Sequence, residues 1–189
     1  MYFDKIGKVN SRETAALALQ AAQEKNIKYI VVASSRGDTA KLLTNTSGIN
    51  IICVTHANGY PLPGKNEMSQ EARDELIDLG IKVLTTTHVL SGAERGLSKT
   101  FAGVYPVEII AHSLRMLGQG TKVSVEVAIM ALDAGLIPYG EPIIALGGTV
   151  SGADTAVVIT PSHASSIFET TIHEIICKPS RYIPDEPEF

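Results

Sequence analysis

Ser34, Ser35, Arg36, Gly37, Asp38 and Thr39 follow directly on the apolar, β-branched run from Tyr29 to Ala33. The serines and the threonine offer hydroxyl donors, and an arginine can grip phosphate oxygens with two parallel hydrogen bonds. A helical pattern opens at Thr39 and runs through Ala40, Leu42 and Leu43. A strand that breaks into a small polar turn and then a helix aims backbone N–H groups, and the positive end of the helix, at one spot. That chemistry suits a phosphate. Asp38 points the other way, since it would repel an anion at close range and can itself cap the helix.

A second constellation is Gly147-Gly-Thr-Val-Ser-Gly-Ala-Asp-Thr155. No helix follows it and it has no Gly-Lys-Ser/Thr, so it is neither a P-loop nor a nucleophile elbow. Gly147, Gly148 and Gly152 permit close backbone approach, while Thr149, Ser151 and Thr155 offer ligand contacts. Asp154 either joins them or bonds its own backbone. So glycine-rich a loop should be mobile until a ligand orders it.

His56 and His88 each come just after an expected parallel strand, where ligands of open α/β sheets sit. Either is a candidate acid–base group or stacking surface, although a solvated loop histidine is the commoner case. Thr55 and Thr85 to Thr87 share that edge. Glu108 and His112 have the i,i+4 spacing of a metal pair, but no third ligand accompanies them, so no metal site is indicated. No cysteine stands beside a histidine, which leaves nucleophilic catalysis without local support.

These residues need elements to hold them. Asn10-Ser-Arg-Glu13 reads as a capping box opening a helix that runs to about Asn26. A strand over 28–33, a helix from about 38 to 45 and a strand over 49–54 follow. Residues 56–68 form a loop, Ser69 caps a helix to Leu79, and 81–86 is a strand. Residues 88–102 read as a helix with a glycine-broken edge. Another helix over 106–117 is interrupted at Gly118-Gln-Gly120 and resumes over 122–134, with Glu126 placed where it could point inward. Strands over 142–146, 156–160 and 171–177 close the chain, with a short helix near Ser165. Strands alternating with helices predict a single three-layer α/β domain over 1–178 with a mostly parallel central sheet. The closing strands lie too near each other for a crossover, so one is antiparallel. Residues 179–189 read as an extended, Pro- and acid-rich tail.

The 189 residues are 44% hydrophobic and 19% charged, an ordinary globular composition. A net charge of −4 with no basic cluster argues against a nucleic-acid surface. No apolar run reaches the roughly 20 residues of a membrane span, which argues against a membrane partner. Cys53 and Cys177 stand apart in apolar runs, as reduced core residues of a cytoplasmic protein do.

Three blocks resemble the C-terminal domain of pyruvate kinase. Thr14 to Ala22, Ile30-Val-Val, Gly37-Asp-Thr-Ala-Lys-Leu-Leu43 and Ile51-Ile-Cys-Val-Thr55 form the first; Gly103-Val-Tyr-Pro106 is the second. The third is Val127 to Ile137 with Gly140 to Gly148 and Ser151 to Thr155. In pyruvate kinases the corresponding turn and glycine loop jointly hold a phosphorylated effector, and stand-alone relatives look like flavin mononucleotide (FMN) binders. The resemblance therefore implies FMN as cofactor. Its phosphate would lie on Ser34, Ser35, Arg36, Gly37, Asp38 and Thr39, and its ring near Thr55, His56 and the loop of Gly147, Gly148, Thr149, Gly152, Asp154 and Thr155. A catalytic flavin would make the protein an oxidoreductase. The alternatives are a sensor for a phosphorylated metabolite and a subunit-contact module, and a homo-oligomer stays open. The family's turn reads Ser-Gly-Arg-Thr, whereas here Arg36 precedes Gly37. Residues 88–102 have no counterpart, and nothing corresponds to the kinase's catalytic barrel.

Overall fold

The structure, a computed structural model, describes residues 1–44 and 47–181. Its strands are β1 (Tyr2–Phe3), β2 (Tyr29–Ala33), β3 (Asn50–Val54), β4 (Lys82–Leu84), β5 (Ile143–Gly147), β6 (Thr155–Thr160) and β7 (Thr171–Pro179). The helices are α1 (Ser11–Glu24), α2 (Asp38–Lys41), α3 (Gln70–Asp78), α4 (Gly92–Phe101), α5 (Pro106–Arg115) and α6 (Gln119–Asp133). The seven strands form one sheet in the order β1-β7-β6-β5-β2-β3-β4.

β2, β3 and β5 are apolar along nearly their whole length because both faces of the sheet are covered. Ile30, Val32, Cys53, Ile144 and Leu146 turn to one side, where Ala15, Ala18 and Ala22 of α1 and Leu76 of α3 meet them. Val31, Ile52, Val54, Ile143 and Ala145 turn to the other, against Val125, Ala128, Ile129 and Leu132 of α6. This is the expected three-layer α/β domain.

β2 pairs in parallel with both β3 and β5, and β3 with β4. The antiparallel strand lies inside the sheet: β6 runs against both β5 and β7, and β1 pairs in parallel with β7 beyond them. β1, only Tyr2–Phe3, is too short to leave a periodic signal.

Several boundaries move for local reasons. The Asn10 side chain does not cap α1; its Nδ2 donates to the Lys5 carbonyl at 2.7 Å instead. Ser69 does cap α3, its Oγ accepting from Ala72 N at 3.2 Å. α2 stops at Lys41, and the part of the expected helix at residue 45 lies outside the described residues, as does the tail from 182 onward. Gly120 does not interrupt α6, which begins at Gln119. A Cβ at Gly120 would collide with the Thr155 side chain, so this glycine lets the helix start press against β6.

Candidate functional site

The parallel register aligns the carboxyl ends of β2, β3 and β4 at one edge: Ala33 lies opposite Val54, and Val54 opposite Leu84. The residues that follow each strand, Ser34–Ser35, Thr55–His56 and Thr85–His88, emerge side by side.

In the first turn the roles divide. Ser34 is buried; its N–H donates to the Val54 carbonyl at 3.0 Å, and its Oγ accepts from Thr39 N at 3.2 Å. Ser34 and the buried Thr39 therefore build the turn. Gly37, at φ +92°, turns the chain into α2, and a Cβ there would stand 3.0 Å from Leu76 Cδ1. Arg36 and Asp38 face solvent and Ser35 is half-buried.

Glu67, from the long loop after β3, closes over this turn. Its Oε1 accepts from Arg36 Nε at 3.2 Å, while Oε2 lies 2.7 Å from His56 Nδ1. Ser35 Oγ is 3.3 Å from the same ring nitrogen. With Nδ1 directed at a carboxylate, Ser35 is not set up as a histidine-activated nucleophile. The His56 ring meets Tyr60 edge-on with centroids 4.6 Å apart, and His88 at 5.7 Å.

Hydroxyls line the floor between the imidazoles. Arg73 of α3 donates to Thr85 Oγ1 at 2.7 Å, Thr85 and Thr55 hydroxyls meet at 2.6 Å, and Thr55 Oγ1 donates to the His56 carbonyl at 2.9 Å. His88 Nε2 lies 3.4 Å from the Thr55 carbonyl, and its Nδ1 lies 3.6 Å from Glu126 Oε2. Behind it, Lys122 Nζ donates to Glu126 Oε2 at 2.5 Å, and Leu90 N donates to Oε1 at 2.9 Å. The Lys122 and Glu126 side chains are only 7% and 3% exposed, so this is a buried ion pair. Burial would raise the Glu126 carboxyl, but hydrogen bonds and charge from His88 and Lys122 overcome it and hold the group down at about 2. Burial pushes the Lys122 ammonium down despite the pull of Glu126.

The glycine loop starts at the same edge, since Val32 of β2 lies opposite Leu146 of β5 and Gly147 follows. Val150 and Ser151 stay exposed, but Thr149, Asp154 and Thr155 turn inward. Asp154 is fully buried, accepting from Gly7 N at 2.8 Å through Oδ2 and from Thr155 Oγ1 at 2.8 Å through Oδ1. Ala153 N donates to Ser11 Oγ at 2.9 Å, and Thr149 and Thr155 are buried. The glycines are required by the chain itself: a Cβ at Gly147 would strike the Gly120 carbonyl, at Gly148 the Gly152 carbonyl, and at Gly152 the Ser11 side chain. Hydrogen bonds at Ala153 and Asp154 tie the end of this loop, expected from its glycines to be mobile, to the segment 7–11.

The structure thus gathers Ser35, Arg36, Thr55, His56 and His88, with Asp38 on the rim. It sets Ser34, Gly37 and Thr39 in the turn's framework and directs Thr149, Asp154 and Thr155 into the interior. Sequence reasoning passed over Glu67, Arg73 and Lys122. Lys122 and Glu126 carried a signal, an i,i+4 opposite-charge pair on an otherwise apolar helix. Glu67 carried none, because only tertiary folding brings its loop to Arg36. Burial pushes the Cys53 thiol up to about 12 and also raises Cys177, so neither is a thiolate nucleophile. Glu108 accepts from Ser98 Oγ at 2.7 Å, and among the described residues no group of side chains is arranged to hold a metal ion.

Residues 12–159 match the family described as pyruvate kinase, alpha/beta domain. Among solved structures, a pyruvate kinase from Cryptosporidium parvum aligns at 19% identity and TM-score 0.42, over 80% of this chain and 23% of that one. A second structure of the Cryptosporidium parvum enzyme aligns at 19% identity and TM-score 0.38, over 72% and 20%. A third, in complex with ADP, aligns at 17% identity and TM-score 0.40, over 89% and 24%. The chain spans about a quarter or less of the length of these kinases.

Proposed function

The chain belongs to the family of the pyruvate kinase α/β domain, and on that premise we propose that it binds a phosphate-bearing small molecule, FMN, at the carboxyl edge of β2, β3 and β4. One observation carries the reading: Arg36 and His56 already converge on an anion, the Glu67 carboxylate. Arg36 is 72% exposed and can turn its full fork to a phosphate. Ser35 adds a hydroxyl beside it.

The residues present suit the rest of such a ligand. His56, Tyr60 and His88 offer ring faces and edges for a flat aromatic system. Thr85 and Arg73 offer polar contacts on the floor between them. FMN is named by the resemblance to stand-alone relatives of this domain, and hydride chemistry is what it supplies when bound. Of the anchored glycine loop, only Val150 and Ser151 are exposed.

The test is calorimetric titration of wild type and Arg36→Ala with FMN and with riboflavin. A charge-assisted hydrogen bond is worth about 1.5–3 kcal/mol, so FMN affinity should fall roughly ten- to hundredfold while riboflavin is little affected. Equal losses for both ligands would remove the phosphate from Arg36.

A further inference from the structure

Glu67 is a carboxylate where a ligand's anion would go. Its side chain is 18% exposed, against 72% for Arg36, so the loop carries it onto the turn rather than leaving it in solvent. Each of its oxygens takes one of the groups that flank Ser35: Arg36 through Oε1, His56 through Oε2. The segment that delivers it leaves β3 at Thr55 and returns at Met68, whose buried side chain and whose N–H, donating to Asn66 Oδ1 at 2.9 Å, fix the loop's far end. Between these anchors residues 58 and 60 to 65 are largely exposed. The carboxylate is therefore held at the site by its two partners and by a loop fastened at both ends.

We infer that Glu67 is an internal competitor for the phosphate subsite, an autoinhibitory contact that any phosphate must displace from Arg36. The inference rests on the phosphate reading above. A bound phosphate must take Arg36 from Glu67, whose carboxylate then turns away from it. A monoester brings about two negative charges above pH 7 and three terminal oxygens, enough to accept both arms of the guanidinium. Taking Arg36 costs every such ligand the same Arg36–Glu67 contact, and riboflavin, which has no phosphate, does not incur it. Asp38, also exposed on this turn, adds to the anionic background that a ligand must overcome.

The experiment is a titration series at pH 7.5 with FMN and riboflavin, on wild type, Glu67→Gln, Arg36→Ala and the double variant. An exposed ion pair contributes little, so Glu67→Gln should tighten FMN by roughly two- to fivefold and leave riboflavin unchanged, widening the preference for FMN. In the Arg36→Ala background the same change should have almost no effect, because the competition is for Arg36. An equal gain with and without Arg36 would show simple charge repulsion and overturn the displacement. Weaker FMN binding by Glu67→Gln would also overturn it, making Glu67 a ligand contact. If wild type binds FMN no better than riboflavin, the phosphate reading itself fails. If the FMN preference is intact and Glu67→Gln leaves it unchanged, only the inference about Glu67 fails.

Discussion

Glu126 shows how a single side chain reads differently alone and in place. In the sequence it is one acid on an apolar helix; in the fold it accepts from Lys122 and Leu90 N and faces His88. Removing one member of a buried ion pair leaves the other uncompensated, so Glu126→Ala should cost about 3–5 kcal/mol in denaturant unfolding. Replacing both, as Lys122→Met with Glu126→Leu, should restore most of that stability. Because the folded Glu126 carboxyl is held down at about 2, below its ordinary 4.5, its contribution is complete above pH 4.5 and disappears as the pH falls toward 2. Unfolding free energies across that range should therefore decline less steeply in Glu126→Gln than in wild type, and parallel declines would contradict the assignment. Arg36, Ser35, Thr55, His56 and His88 could be singled out from sequence because strand ends in a parallel sheet share an edge. Their partners could not, since Glu67 and Arg73 arrive from a loop and a mostly exposed helix with no periodic signal.

At the scale of elements, the glycine loop is the instructive case. Three glycines between two strands suggest mobility when read as composition. Gly148, however, answers the loop's own return, and Gly147 and Gly152 answer contacts from distant parts of the chain, the starts of α6 and α1. Contacts across such sequence distances are invisible until the sheet order is known. Hydrogen exchange should accordingly be slow at the amides of Ala153 and Asp154 without any ligand, since they donate to Ser11 Oγ and the Gly147 carbonyl. Rapid exchange there, slowed only by FMN, would reinstate the loop as a flap. α3 and its serine cap were legible because the cap is local. The helix near 88–102 was legible only in outline: α4 begins at Gly92 and buries none of its residues, so tertiary packing adds no sharp boundary to its weak local pattern.

For the whole molecule, alternating strands and helices were enough to predict a covered, mostly parallel sheet, because burial on both faces forces apolar strands and crossover helices. The place of β6 within the sheet was not legible, since pairing order beyond β5 depends on how β7 and the two-residue β1 close the far side. The outcome sets the anchored half of the molecule, β5 to β7 with β1, beside a half that carries the polar edge, β2 to β4. No helix among the described residues is long and apolar enough to cross a membrane. The central claim is that the polar edge holds a phosphate, and backbone amide shifts in a proton–nitrogen correlation spectrum test it most directly. Adding FMN at pH 7.5 should move the amides of residues 35–38, 55–56 and 67, and leave those of residues 171–179 unmoved. Riboflavin should reproduce the changes near His56 but not those at residues 35–38. Identical shifts for the two ligands across residues 35–38, or shifts confined to other parts of the chain, would contradict it.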